Sequence, residues 1–248
     1  MFERPSGPGA EPPPVPAGRG EASGNGEGVT QAMRLQILST EHWSLLASRS
    51  LAWNESFSRA GMFLSTLAGA MVALALVAQA DEFGAGFRIF ALVILPVVLL
   101  IGIGTNLRMG ISNYHDAQCV VGMNRIRAAY MEMAPDLGRY FVMGTTDDER
   151  GVNLTMAVQR DTPLLVQMLA STPVLVTLLN GVLAAVIVAL VVIQLDGTTA
   201  LAIVMGTVAF IVVVGGFIWY AGRDIARVIA EYKPLFPTEG VGPTEPAP

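Results

Sequence analysis

The stretch STEHWSLLASRSLAWNESFSRAGMFLSTLAGAMVALALVAQA, residues 39–80, decides the fold. Its second half, Ala60 to Ala80, carries no charged residue and has about the 20-residue length that crosses a hydrocarbon core. Its first half is amphipathic and too polar to enter lipid. Ser39 or Thr40 can cap a helix, and Glu41 sits in the first turn, where negative charge is favoured. The reading is one long helix, half in the membrane and half standing in water.

Working outward, three more apolar runs follow, so the spans are about 60–80, 89–107, 174–195 and 200–221. Only a few residues join the first to the second, around Asp81–Gly86, and the third to the fourth, around Asp196–Thr199. Links that short force antiparallel helical hairpins. Arg4, Arg19, Arg34, Arg49 and Arg59 precede span one, six arginines from Arg108 to Arg160 lie between spans two and three, and Arg223, Arg227 and Lys233 follow span four. Only Arg88 falls on the opposite side. The positive-inside rule therefore places both termini and the central region, residues 108–172, in the cytosol.

Composition agrees. Of 248 residues 52% are hydrophobic and 14% charged, against about 25% charged in soluble domains, and the mean hydropathy is +0.54. One cysteine, Cys119, excludes an internal disulfide framework. A net charge of -5 with scattered basic residues leaves no footprint for nucleic acid. The ends, 1–38 and 234–248, are rich in Pro, Gly and Glu and read as disordered tails around a 39–233 helical core.

Two periodic features suggest how the helices meet. Trp43, Leu46, Ser50, Trp53 and Phe57 recur at 3-4-3-4 spacing, and Cys119, Met123, Ile126, Tyr130 and Met133 repeat at 4-3-4-3 beyond span two. The two stripes are expected to pack on each other as a cytosolic hairpin. Within the membrane, Gly61, Ser65, Gly69 and Ala73 form one row of small residues, and Thr177, Gly181, Ala185 and Ala189 another. Such rows let helix backbones approach closely, so they are expected to meet each other or a second copy, with Asn180 as interhelical glue. After Pro135 a polar turn region contains the acidic run Asp147–Glu149, read as a solvated loop. Leu164 to Ala170 reads as an interfacial helix.

The segments EHWSLLASRSLAWNESFSRAGMFL and GMNRIRAAYMEMAPDLGRYF resemble an uncharacterised family of bacterial multi-pass membrane proteins, over about Ser39 to Pro237. The resemblance implies a four-span inner-membrane protein with a cytosolic helical region and carries no activity or catalytic residue with it.

Chemical motifs are sparse. His115 and Cys119 share a helix face and, with His42, are the candidates for a metal site, although packing explains them as well. Gly-rich phosphate loops, GxSxG and HExxH are missing. No charged residue lies within a span, which disfavours a proton relay or a carrier of charged substrates. The expectation is an all-α polytopic membrane protein of four transmembrane helices, with spans one and two extended into the cytosolic hairpin. Neither catalysis nor a cofactor is expected. Its role would be a scaffold or adaptor that assembles with itself or with a cytosolic protein, the alternative being an oligomeric channel for ions or small solutes.

Overall fold

The computed structural model describes residues 29–156, 166 and 171–238. Among the described residues there is no strand, and four helices are long and apolar enough to cross a membrane. They are α1 (Gln31–Asp81), α2 (Ala85–Met133), α4 (Thr172–Gln194) and α5 (Thr199–Glu231), with a 3-10 turn (Pro135–Tyr140) and the short α3 (Glu149–Thr155) between α2 and α4.

Helix α1 starts well before Ser39. Thr30 is its cap, its hydroxyl accepting from the Met33 N–H at 3.3 Å. Thr40 instead turns its Oγ1 back to the Gln36 carbonyl at 2.8 Å, the alternative bond open to a hydroxyl inside a helix. The structured part thus begins inside the segment expected to be a tail. The tail expected at 1–38 otherwise lies outside the described residues, as do Leu164–Ala170 apart from Val166.

The α1–α2 turn is closed by Asp81, whose Oδ2 accepts the Phe87 N–H at 2.7 Å and so caps the start of α2. Glu82 and Phe83 take positive φ of 45° and 61°. Gly84 cannot be larger, because a β-carbon there would lie 2.8 Å from the Asp81 carbonyl oxygen. At the other tight turn Asp196 has φ 57°, the Gly197 N–H returns to the Val192 carbonyl, and the Thr198 hydroxyl caps α5. Each turn reverses the chain within a few residues.

Extensive packing runs from α1 to α2, from α2 to α4 and from α4 to α5. The spans therefore stand in a row, with α2 and α4 inside and α1 and α5 outside. The α1 side of the first seam is His42, Leu45, Arg49, Ala52, Ser56, Ala60, Phe63, Leu67, Ala70, Leu74 and Ala78, all buried or half-buried. Steps of three and four keep one face turned to an antiparallel neighbour over most of a 51-residue helix. In the membrane part, Phe63, Ala70, Ala91, Leu95, Val98, Val176 and Leu183 form the packed centre. Pro96 is accommodated inside α2, as neighbouring membrane helices permit.

Candidate functional site: the helical hairpin and its clasp

Beyond the apolar spans the α1–α2 seam changes character from apolar to ionic. Glu55 accepts from Arg108 at 2.9 and 2.8 Å and from Arg59 at 3.0 Å. Those bonds, Arg108 first and Arg59 second, hold its carboxyl at about 2, under the ordinary 4.5. One turn further, Ser112 Oγ donates to the Ala52 carbonyl at 3.0 Å. Next comes Asp116, nearly fully buried, whose Oδ1 accepts from Arg49 Nε at 2.6 Å and Trp53 Nε1 at 3.0 Å. Burying a carboxylate is tolerated only with such partners.

The apolar stripe of α1 enters this seam through the Trp53 indole N–H and is otherwise largely exposed. Trp43, Leu46, Trp53 and Phe57 are 69%, 41%, 49% and 56% exposed. The face one residue away, His42–Leu45–Arg49–Ala52, is the one turned to α2, because only there do Arg49 and Ala52 reach Asp116 and Ser112. On the α2 side Cys119, Met123 and Ile126 are buried and Tyr130 is half-buried. The α2 stripe is thus largely buried while most of the α1 stripe is exposed.

The metal candidates separate too. His115 is exposed, with Nδ1 3.9 Å from the buried Cys119 sulfur. His42 instead stacks on Tyr130, ring centroids 6.3 Å apart, about three turns further along α2. Burial, then Arg127, pushes the His42 pKa down, and burial, then Asp116, pushes the Cys119 thiol up. Among the described residues no three His, Cys, Asp or Glu side chains are grouped to hold a metal ion.

The two rows of small residues also go to different places. Gly61, Ser65 and Gly69 face outward, and a β-carbon on either glycine would meet nothing within 4 Å. Ala73 lies at the half-buried margin of the same helix. In span three, Gly181 packs against Phe210 and Val214 of α5, while Ala185 and Ala189 receive Gly206. That row meets span four rather than span one. Thr177 turns to α2, accepting from Asn106 Nδ2 at 2.5 Å and donating to the Pro173 carbonyl at 2.8 Å. Asn180, fully buried, sets its amide oxygen in the space a Gly102 β-carbon would fill, and neither of its polar atoms has a hydrogen-bond partner among the described residues.

The acidic run is a clasp rather than a wholly solvated loop, with Asp147 buried, Asp148 half-buried and Glu149 exposed. Asp147 is 0% exposed and accepts from Arg125 Nε at 2.8 Å, Tyr232 OH at 2.9 Å, and the Leu235 and Phe236 N–H groups at 2.9 and 2.8 Å. Asp148 caps α3 through the Gly151 N–H at 2.9 Å, and its other oxygen takes the Thr238 N–H at 2.9 Å. Asn124 supports the loop, donating to the Thr146 carbonyl and accepting from Thr155 and Arg127, all at 2.8 Å. Burial alone would raise the Asp147 pKa. The Leu235 and Phe236 N–H groups, Arg125 and Tyr232 outweigh it and hold the carboxyl below 3.8. Residues 234–238, expected in a solvated tail, are thereby docked on the far part of α2.

No local pattern announces this clasp, because its halves are about 90 residues apart in the chain. Compared with protein-family models, with curated proteins and with solved structures, the chain has no match in any of the three.

Proposed function

We propose that this protein is a non-catalytic membrane scaffold, a self-associating four-span protein that presents a rigid helical hairpin on one side of the membrane. The arginines at the hairpin end of the spans, with only Arg88 at the other end, support a cytosolic hairpin in a bacterial inner membrane. One observation carries the reading. Helix α1 leaves uncovered both its aromatic face (Trp43, Leu46) and, in line with it, the small residues Gly61, Ser65 and Gly69. A helix that turns its closest-packing surface away from its own bundle has that surface free for another helix, and a second copy of α1 fits it by self-complementarity.

The ion pairs and the clasp keep the hairpin straight without occupying that face. The alternative is an oligomeric channel lined by the small and hydroxyl residues of span one or span three; Asn106, Thr177 and Asn180 are packed between α2 and α4, which supports the scaffold over a pore lined by span three.

The test is the oligomeric state of the purified protein in nanodiscs, by mass photometry. Wild type should be a dimer or larger, whereas Gly61→Leu with Gly69→Leu, and separately Trp43→Glu with Leu46→Glu, should shift it to monomer. These positions are exposed, so the variants should keep Cys119 shielded from thiol reagents. A monomeric wild type, or assembly indifferent to both variants, refutes the proposal. A tag in the Asp81–Gly86 turn that is reachable only from the cytosol would overturn the orientation.

A further inference from the structure

A cleft of about 530 Å3 opens where α1, α2 and the start of α4 diverge, lined by Trp53, Ser56, Phe57, Asn113, Asp116 and Thr172 among others. Its level is that at which three helices leave their apolar spans. Ala52–Phe57 precede span one, Met109–Asp116 follow span two and Ser171–Pro173 precede span three.

The chemistry of the lining is selective. Among the described residues that line it, Asp116 is the only charged side chain. Oδ1 is taken by Arg49 and Trp53, but among the described residues Oδ2 has only a long 3.4 Å contact with Arg49 Nη2 and keeps acceptor capacity. The Trp53 and Phe57 rings stand 5.8 Å apart at 52°, making an aromatic corner, and both are about half-exposed. A carboxylate lone pair beside two aromatic rings suits a positively charged nitrogen bearing carbon substituents. An anion would meet the carboxylate, and the guanidinium beside it, Arg49, is already engaged by Asp116. A bare divalent ion would find one carboxylate where it requires about six oxygens.

We propose that this cleft binds an organic ammonium group, carried by a phospholipid headgroup or by a free amine of similar size. The nitrogen sits against Asp116 Oδ2 and the Trp53–Phe57 corner, with Ser56, Asn113 and Thr172 available to the oxygens of the same molecule. On the membrane side Phe57, Met109 and Pro173 offer an apolar wall where an acyl chain would begin. Trp53 and Phe57 share the exposed face of α1 with the residues substituted above to test self-association, so the titration is read in the Gly61→Leu, Gly69→Leu background as well, where loss of assembly and loss of amine binding are told apart.

Trp53 is its own reporter. Of the 3 tryptophans, Trp43→Phe and Trp219→Phe leave it as the single indole. In detergent, titration with tetramethylammonium or choline chloride should change Trp53 emission saturably, while sodium chloride at equal ionic strength should not. Phe57→Leu should weaken the response on the order of tenfold, and Asp116→Asn should weaken it further. Phe57 is exposed enough for the fold to persist, checked through Cys119 protection. Nanodiscs separate the sources. Emission already at its ligand-saturated value in phosphatidylcholine discs, with choline active only in phosphatidylglycerol discs, identifies the lipid headgroup. Equal choline titration in both identifies a free amine. No saturable response in detergent or in phosphatidylglycerol discs, or a response indifferent to both Phe57→Leu and Asp116→Asn, overturns the site.

Discussion

Replacing Gly102 with alanine would put a methyl group where the Asn180 amide oxygen already lies, and 2.7 Å from Phe63 Cε2. Neither neighbour has room to swing aside, since Asn180 and Phe63 are both 0% exposed. Overpacking a tight core costs about 1–3 kcal/mol, and two immobile neighbours argue for the upper half of that range. Alanine's helix-forming advantage over glycine returns about 1 kcal/mol. The net expectation is a loss of roughly 1–2 kcal/mol, close to a tenfold fall in the folded-to-unfolded ratio. Cys119 makes the assay direct, because the one thiol in the chain is buried and reacts with a fluorogenic maleimide only as the helices separate. Thermal or denaturant unfolding in mixed micelles, followed through that thiol, should show Gly102→Ala less stable than wild type. Asn180→Ala exchanges an unpartnered amide for a small void and removes the oxygen that blocks the methyl. Added to Gly102→Ala it should therefore restore stability, with a coupling of about 1 kcal/mol or more. Gly102→Ala as stable as wild type, or strict additivity of the two changes, refutes the tight α2–α4 contact.

Asp147→Asn keeps the shape of the clasp but removes the charge that Arg125, Tyr232 and two N–H groups converge on. Charge-assisted bonds are worth about 1.5–3 kcal/mol each, so limited proteolysis should cut between α5 and Thr238 far sooner than in wild type. Equal protection would mean that these bonds do not hold the segment. Tyr232→Phe deletes a hydroxyl that donates at 2.8 Å to the Asp147 carbonyl and at 2.9 Å to its carboxylate, and should cost about 1 kcal/mol of that protection, read from amide exchange at 235–238. The clasp should also fail in acid. Burial opposes ionisation of Asp148, but bonds from Thr238, Gly151 and Thr146 prevail and lower its pKa from 3.8 to about 2. A depressed carboxyl contributes its full stability above the unfolded value and loses it as pH falls toward the folded one. Amide protection of the docked segment should thus be constant from pH 5 to 7 and decline between about 4 and 2, and a decline on raising the pH instead would contradict the assignment.

The four spans were legible because each is an uncharged apolar run between polar flanks, and the hairpins because Asp81–Gly86 and Asp196–Thr199 are too short for anything else. The start of α1 was not, since Ser39, Thr40 and Glu41 imitate a helix cap while the working cap, Thr30, borders a Pro- and Gly-rich segment. Periodicity marked α1 as two-faced before its apolar half, but the more buried face is His42, Leu45, Arg49 and Ala52 rather than the aromatic one. Aromatic weight pointed to Trp43–Phe57. The deciding contacts are polar ones, Arg49 with Asp116 and Glu55 with Arg108, which a hydrophobic pattern does not register. Gly61 and Gly181 look alike as text, yet one faces outward and the other lies under Phe210. The clasp escaped for a different reason, because hydrogen bonds between Asp147 and Phe236 leave no trace in either segment alone.

The placement of α2 has a mechanical consequence. Its 49 residues make a rod of about 73 Å, of which roughly 40 Å projects past Leu107. Were its apolar part held in a bilayer, a tilt of about 5° would sweep the far end through some 3 Å at that length. Arg125 stands on the projecting arm and grips, through Asp147, the segment that follows span four. A sideways push at the tip is therefore delivered to the opposite edge of the row of spans, across the intervening α4, as a pull on the end of α5.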